Sequence, residues 1–151
     1  KLKLEWDMPS WFHIFDDPLH GCNLVKTVFS LCDSVNVLTF RDRAEDQFNA
    51  LLPNLEFAQE LKKPLRICFE TLNIDESRRE DGNSVVTYFE EGRLFMYQNL
   101  YQLQEMIEPI YKKFGFAIHD IKRWALMQPE PLPQYAEGIL PMNKGRLRIV
   151  V

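Results

Sequence analysis

Hydrophobic positions recur along this chain with two different spacings. In KLKLEW (residues 1–6), Leu2, Leu4 and Trp6 alternate with Lys1, Lys3 and Glu5, the period-two pattern of a half-buried strand. In CNLVKTVFSLCD (22–33), Leu24, Val25, Val28, Phe29, Leu31 and Cys32 fall at helical spacing and predict a helix. VNVLTF (35–40) then reads as a short strand. Asp42 with Glu45 three positions on resembles a capping box and opens a helix with Ala44, Phe48, Leu51 and Leu52 inward. Pro53 is expected to interrupt that helix, and Asn54 to cap its restart in NLEFAQELKK.

The second half reads as richer in strand. After Pro64, Leu65, Ile67 and Phe69 alternate with Arg66 and Glu70. DESRREDGN (75–83) is a charged loop by composition. SVVTYF and RLFMY flank EEG and predict a hairpin. Asn99 is expected to open a long helix that Pro109 kinks and Gly115 stops. FAIHDI reads as a strand, KRWALM fits either class, PEPLPQ is an extended connector, and KGRLRIVV is a final strand. The order lacks the steady strand–helix alternation of a doubly wound sheet. It predicts one α+β domain over 1–151, with helices packed on a mostly antiparallel mixed sheet.

Composition narrows the field. The 151 residues are 46% hydrophobic and 26% charged, an ordinary globular balance with enough chain for a core. A net charge of −4 argues against a surface built for duplex DNA. No apolar run approaches the roughly 18 residues of a membrane span, and no signal-peptide pattern is present. The chain, which opens at Lys1 and closes in RLRIVV, reads as a segment of a longer protein. Cys22, Cys32 and Cys68 form no CxxC pair. Ten residues of helix would hold Cys22 and Cys32 roughly 15 Å apart, too far for a disulfide. With no N-x-S/T acceptor, this predicts an intracellular protein of cytoplasm or nucleus.

The candidate chemistry begins with HIFDDPLH. His13, Asp16, Asp17 and His20 carry the donors for zinc or for acid–base work, at offsets that would share a helix face. Pro18 breaks that helix, and Asp16–Asp17–Pro18 is turn chemistry. The segment therefore reads as an aromatic anchor followed by a turn, with neither metal nor cofactor expected. Cys22 near His20 lacks an orienting third group, and His119–Asp120 reads as a strand edge. No nucleophile elbow, phosphate loop or dinucleotide fingerprint occurs.

Aromatic residues make up 13% of the chain, and Trp6, Trp11, Phe12, Phe15 and Trp124 lie in segments without clean periodicity. The last strand alternates Lys144, Arg146 and Arg148 with Leu147, Ile149 and Val151, so one face is basic. Together these predict a non-catalytic recognition module that docks a protein or peptide through an aromatic groove or a sheet edge. Its contact residues would be Trp11, Phe12, Phe15, Trp124, Arg146 and Arg148. The second expectation is an RNA or cap-like nucleotide binder, stacking a base on Trp11 or Trp124 beside Glu5 or Asp7 and using the basic strand. The third is a metal-dependent hydrolase built on His13, Asp16 and His20.

Overall fold

In chain order the elements are β1 (Glu5–Pro9), a 3-10 turn (Ser10–Ile14), β2 (Asp16–Asp17), β3 (Cys22–Asn23), α1 (Leu24–Leu31), β4 (Ser34–Leu38), α2 (Ala44–Leu61), β5 (Leu65–Glu70), α3 (Arg93–Ile107), β6 (Phe114–His119), α4 (Ile121–Leu126) and β7 (Ile149–Val150). The computed structural model describes residues 2–73, 75, 86–128 and 149–150. The charged loop after Asp75, the first residues of the expected hairpin, the PEPLPQ connector and the basic residues Lys144, Arg146 and Arg148 lie outside them.

The main sheet has the order β1-β4-β5-β6-β7, and every neighbouring pair is parallel. Among the described residues only the short β2–β3 pair is antiparallel. This corrects the expectation of a mostly antiparallel sheet. The physical reason lies in the connections: α1, α2 and α3 each carry the chain back to the amino end before the next long strand begins. Spatial order also follows chain order without reversal, so right-handed crossovers lay successive helices on one face.

Register rows show the result. Trp6, Val35, Leu65 and Phe114 stand abreast, as do Met8, Val37, Ile67 and Phe116. Apart from half-exposed Trp6 at the edge, these residues are buried, in one cluster with Val25, Phe29, Leu51, Leu55, Leu100 and Leu103 of the helices. Burying each such aliphatic or aromatic side chain contributes about 1.5–3 kcal/mol. The intervening row, Asp7, Asn36, Arg66 and Gly115, faces the other way. There Asn36 donates to Asp7 at 2.8 Å, and the Arg66 guanidinium donates to Glu5 at 2.7 Å. The next row on that face, Leu38, Cys68 and Ala117, is apolar, and Cys68 is buried.

Local chemistry explains the helix ends. Asn23 caps α1 by accepting from the Val25 N–H at 3.0 Å. At the start of α2, the Ala44 N–H is taken up by Asn99 of α3 at 3.0 Å. Pro53 does not interrupt α2, which runs unbroken from Ala44 to Leu61. Asn54 is therefore no cap. It is buried, and its amide donates to the Ser10 carbonyl at 2.9 Å. The hairpin expectation also fails, because RLFMY is the first part of α3, entered through Gly92 at φ 86°. A residue without Cβ adopts that angle freely.

Candidate functional site at the carboxyl end of the sheet

The long parallel strands all end on one rim, at Pro9, Leu38, Glu70 and His119. Glu70 and His119, the last residues of β5 and β6, are register partners. Glu70 Oε2 lies 2.8 Å from His119 Nδ1. Glu70 Oε1 accepts from the N–H groups of Thr71 at 2.8 Å and Leu72 at 3.0 Å. The Glu70 side chain is 3% exposed and that of His119 60%. A carboxylate only accepts, so Nδ1 carries the proton in this contact, and a neutral His119 ring has its lone pair on Nε2. A buried carboxylate thus fixes both the tautomer and the orientation of an exposed imidazole.

The backbone around the pair is tightly held. Thr71 Oγ1 donates toward the carbonyls of His119 at 3.0 Å and Asp120 at 2.9 Å, across a peptide bond that is cis. Thr39 Oγ1 donates to the Cys68 carbonyl at 3.1 Å, tying β4 to β5 at the same rim. Phe40 follows with φ 24°, on the positive side that side chains other than glycine disfavour by about 1–3 kcal/mol. Its ring centroid lies 6.3 Å from that of His119. Asp120 caps α4, and the Arg123 N–H on its side chain holds its carboxyl below the ordinary range.

A second buried carboxyl lies in the turn before α3. The turn from Tyr88 to Gly92 is fastened to the strand end by the Tyr88 N–H, which donates to the Glu70 carbonyl at 3.0 Å. In this turn Glu91 is 7% exposed, and its Oε2 is buried without a hydrogen-bond partner among the described residues. Burial pushes the Glu91 carboxyl up to about 7, helped by the charges of Asp42 and Glu90 and opposed by a backbone hydrogen bond and by Arg43.

The described contact residues separate into two places. Trp11 meets Phe12 and Phe15 edge to face, at centroid distances of 5.2 and 5.8 Å. Trp11 is 53% exposed, Ile14, Phe15 and Leu19 are exposed beside it in sequence, and Phe12 packs against the core. Trp124 belongs to a different cluster on α4, under the Arg93 guanidinium and donating from Nε1 to Tyr97 at 3.2 Å. Arg146 and Arg148 lie outside the described residues.

The histidines of HIFDDPLH also part company. His13 Nδ1 turns back to the Ser10 carbonyl at 2.8 Å, whereas His20 Nδ1 meets Asp17 at 2.6 Å. Asp17 also accepts from the Thr27 hydroxyl, and these bonds hold its carboxyl down at about 2. Among the described residues no three His, Cys, Asp or Glu gather into a group that could hold a metal ion. No described helix is long and apolar enough to cross a membrane. The three cysteines are free thiols, and burial pushes that of Cys68 up to about 12.

At the opposite, amino end of the sheet lies a cleft of about 370 Å³ lined by Lys3, Glu5, Asp33, Ser34, Arg66 and Lys113. Its charges are largely spent internally: Arg66 on Glu5, Asp33 on the Leu4 N–H, Lys113 on the Lys62 carbonyl. Fold and site together define a parallel β/α protein with a carboxylate–histidine pair at the carboxyl rim. Comparison with protein-family models, with curated proteins and with solved structures gives no match.

Sequence reasoning missed Glu70. A signal for Glu70 was present in the two six-residue strands LRICFE and FGFAIH, which end in an acid and a base.

Proposed function

We propose that this chain performs hydrolytic acid–base chemistry at the carboxyl end of its parallel sheet. His119 is the general base, and Glu70 is the positioning residue that holds it. The carrying observation is the Glu70–His119 contact at 2.8 Å between a buried carboxylate and an exposed ring. Such a pair leaves Nε2 to take a proton from water or a substrate hydroxyl. The rim adds support, because crevices outside the carboxyl ends of parallel strands are where β/α proteins bind their substrates. A panel of chromogenic esters, phosphomonoesters and glycosides tests the reading. Turnover is expected on one class, falling about 10²–10⁴-fold in His119→Ala while circular dichroism stays unchanged. No turnover by the folded chain, or full activity in His119→Ala, defeats it.

A second reading keeps the docking expectation, because Trp11, Ile14, Phe15 and Leu19 present exposed apolar side chains within nine residues. Here a protein partner grips Trp11. A photo-crosslinker placed at Ile14 should then capture a partner that one at Leu126 does not. Trp11→Ala should weaken that partner's binding by about 2 kcal/mol, roughly 30-fold. An unchanged affinity removes this reading. The basic stripe of the RNA reading, Lys144, Arg146 and Arg148, lies outside the described residues.

A further inference from the structure

We propose that the outer edge of β1 pairs with β1 of a second copy of this chain, antiparallel and about a two-fold axis at Leu4.

The main chain supplies the first argument. β1 is the end strand of the sheet, and among the described residues nothing pairs with its outer side. Just before it, the Leu4 carbonyl accepts from the N–H groups of Asp33 at 2.8 Å and Ser34 at 3.4 Å, and the Leu4 N–H donates to the Asp33 carboxylate. Leu4 is therefore turned toward β4. Main-chain groups alternate sides along a strand, so those of Lys3, Glu5 and Asp7 point outward, a template for another strand.

The side chains select the occupant. Edges are usually guarded by lysine or proline, which discourage any added strand. This edge instead complements itself. Laid antiparallel about Leu4, two copies set Lys3 opposite Glu5 twice, Leu2 opposite Trp6 twice, and Leu4 opposite Leu4. Opposite charges thus face each other across the two strands. Glu5 already accepts from Arg66 at 2.7 Å, and a carboxylate has room for a further donor. On the other face Leu2 and Leu4 are exposed, and half-exposed Trp6 ends the row that runs into the core through Val35 and Leu65. A second copy covers that open end. The hydrogen-bonding phase agrees with this register. Outward-turned Lys3 and Glu5 form the pair that exchanges main-chain bonds, and the two Leu4 residues form the closer pair that does not. Because each copy uses the same edge, the contact closes at two chains.

Sedimentation equilibrium from about 10 µM to 1 mM chain tests the association, since a short edge contact makes a weak dimer. Lys3→Glu sets like charges opposite each other twice, and Lys3→Pro removes an outward N–H. Each should weaken the dimer about tenfold or more, with circular dichroism unchanged because Lys3 is exposed. Cysteine linkage tests the register. Under mild oxidation two Leu4→Cys chains should join by a disulfide far faster than two Leu2→Cys chains or the parent, because only position 4 meets itself across the axis. A chain still monomeric at about 1 mM leaves the edge to some other occupant and overturns the proposal. A dimer unaffected by both Lys3 variants, or linkage no faster in Leu4→Cys than in Leu2→Cys, overturns it as well.

Discussion

Phe69→Ala should cost about 4 kcal/mol of folding stability, the range found when a buried phenylalanine is cut to alanine. The ring is fully buried, and it meets Tyr88 edge to face at 5.9 Å; Tyr88 in turn meets Phe95 of α3 at 6.3 Å. The substitution therefore loses the transfer free energy of the ring, leaves a cavity, and removes one partner from an aromatic relay between sheet and helix layer. Phe69 also directly precedes Glu70 on β5, with its side chain on the opposite face. Loosening it should disturb the rim as well. Urea unfolding followed by circular dichroism measures the loss, with Leu126→Ala, exposed on α4, as a control expected within about 0.5 kcal/mol. A loss under about 1 kcal/mol for Phe69→Ala would show that the ring does not sit where β5 meets α3.

What could be read from the sequence was which residues turn inward. The alternation of Leu65, Ile67 and Phe69 located β5, and the helical spacing of Val25, Val28 and Phe29 located α1. Alternation, however, reports only that a sheet has one apolar and one polar face, and here a parallel sheet has both. Strand direction is set by what lies between the strands. Leu94, Phe95, Met96 and Tyr97 form a short apolar run that fits a strand or a helix equally well. Reading that run as a hairpin arm moved the start of α3 to Asn99 and added an antiparallel pair, and a regular β/α repeat was lost from view. Pro53 misled for a related reason. Propensity disfavours proline inside a helix, but packing of Leu51, Leu55 and Ala58 into the core holds α2 together across it.

The site was less legible than the fold because its members are far apart along the chain. Glu70 and His119 are separated by 49 positions, and only parallel pairing of two equal strands brings them side by side. HIFDDPLH drew attention for the opposite reason, since four polar residues within eight look like a site. In the folded chain Asp17 is instead the hub of a turn, bonded to Leu19, His20 and Thr27. Proximity in sequence and convergence in space were different properties here, and the second depended on strand direction.

Glu91 should make this protein less stable as the medium passes from mildly acidic to neutral, and Glu91→Gln should remove that dependence. In the folded chain its carboxyl titrates at about 7 against an ordinary 4.5, chiefly because it is buried. Below about 4.5 both folded and unfolded forms are protonated, and folding carries no penalty from this group. Between about 4.5 and 7 the unfolded chain ionises freely while the folded one resists, so stability falls with rising pH by up to about 3 kcal/mol. Asp17 acts in the opposite sense, but at lower pH: its carboxyl, held at about 2, loses its stabilising effect only as the medium falls below the ordinary 3.8. The two windows do not overlap. Glutamine fits the same space and is neutral throughout, so Glu91→Gln should match the parent at pH 4.5 and exceed it by about 3 kcal/mol at pH 8. Urea unfolding of both proteins at pH 4.5, 6 and 8 measures this directly. A constant difference between them across that range would mean that Glu91 ionises as freely in the folded chain as in the unfolded one.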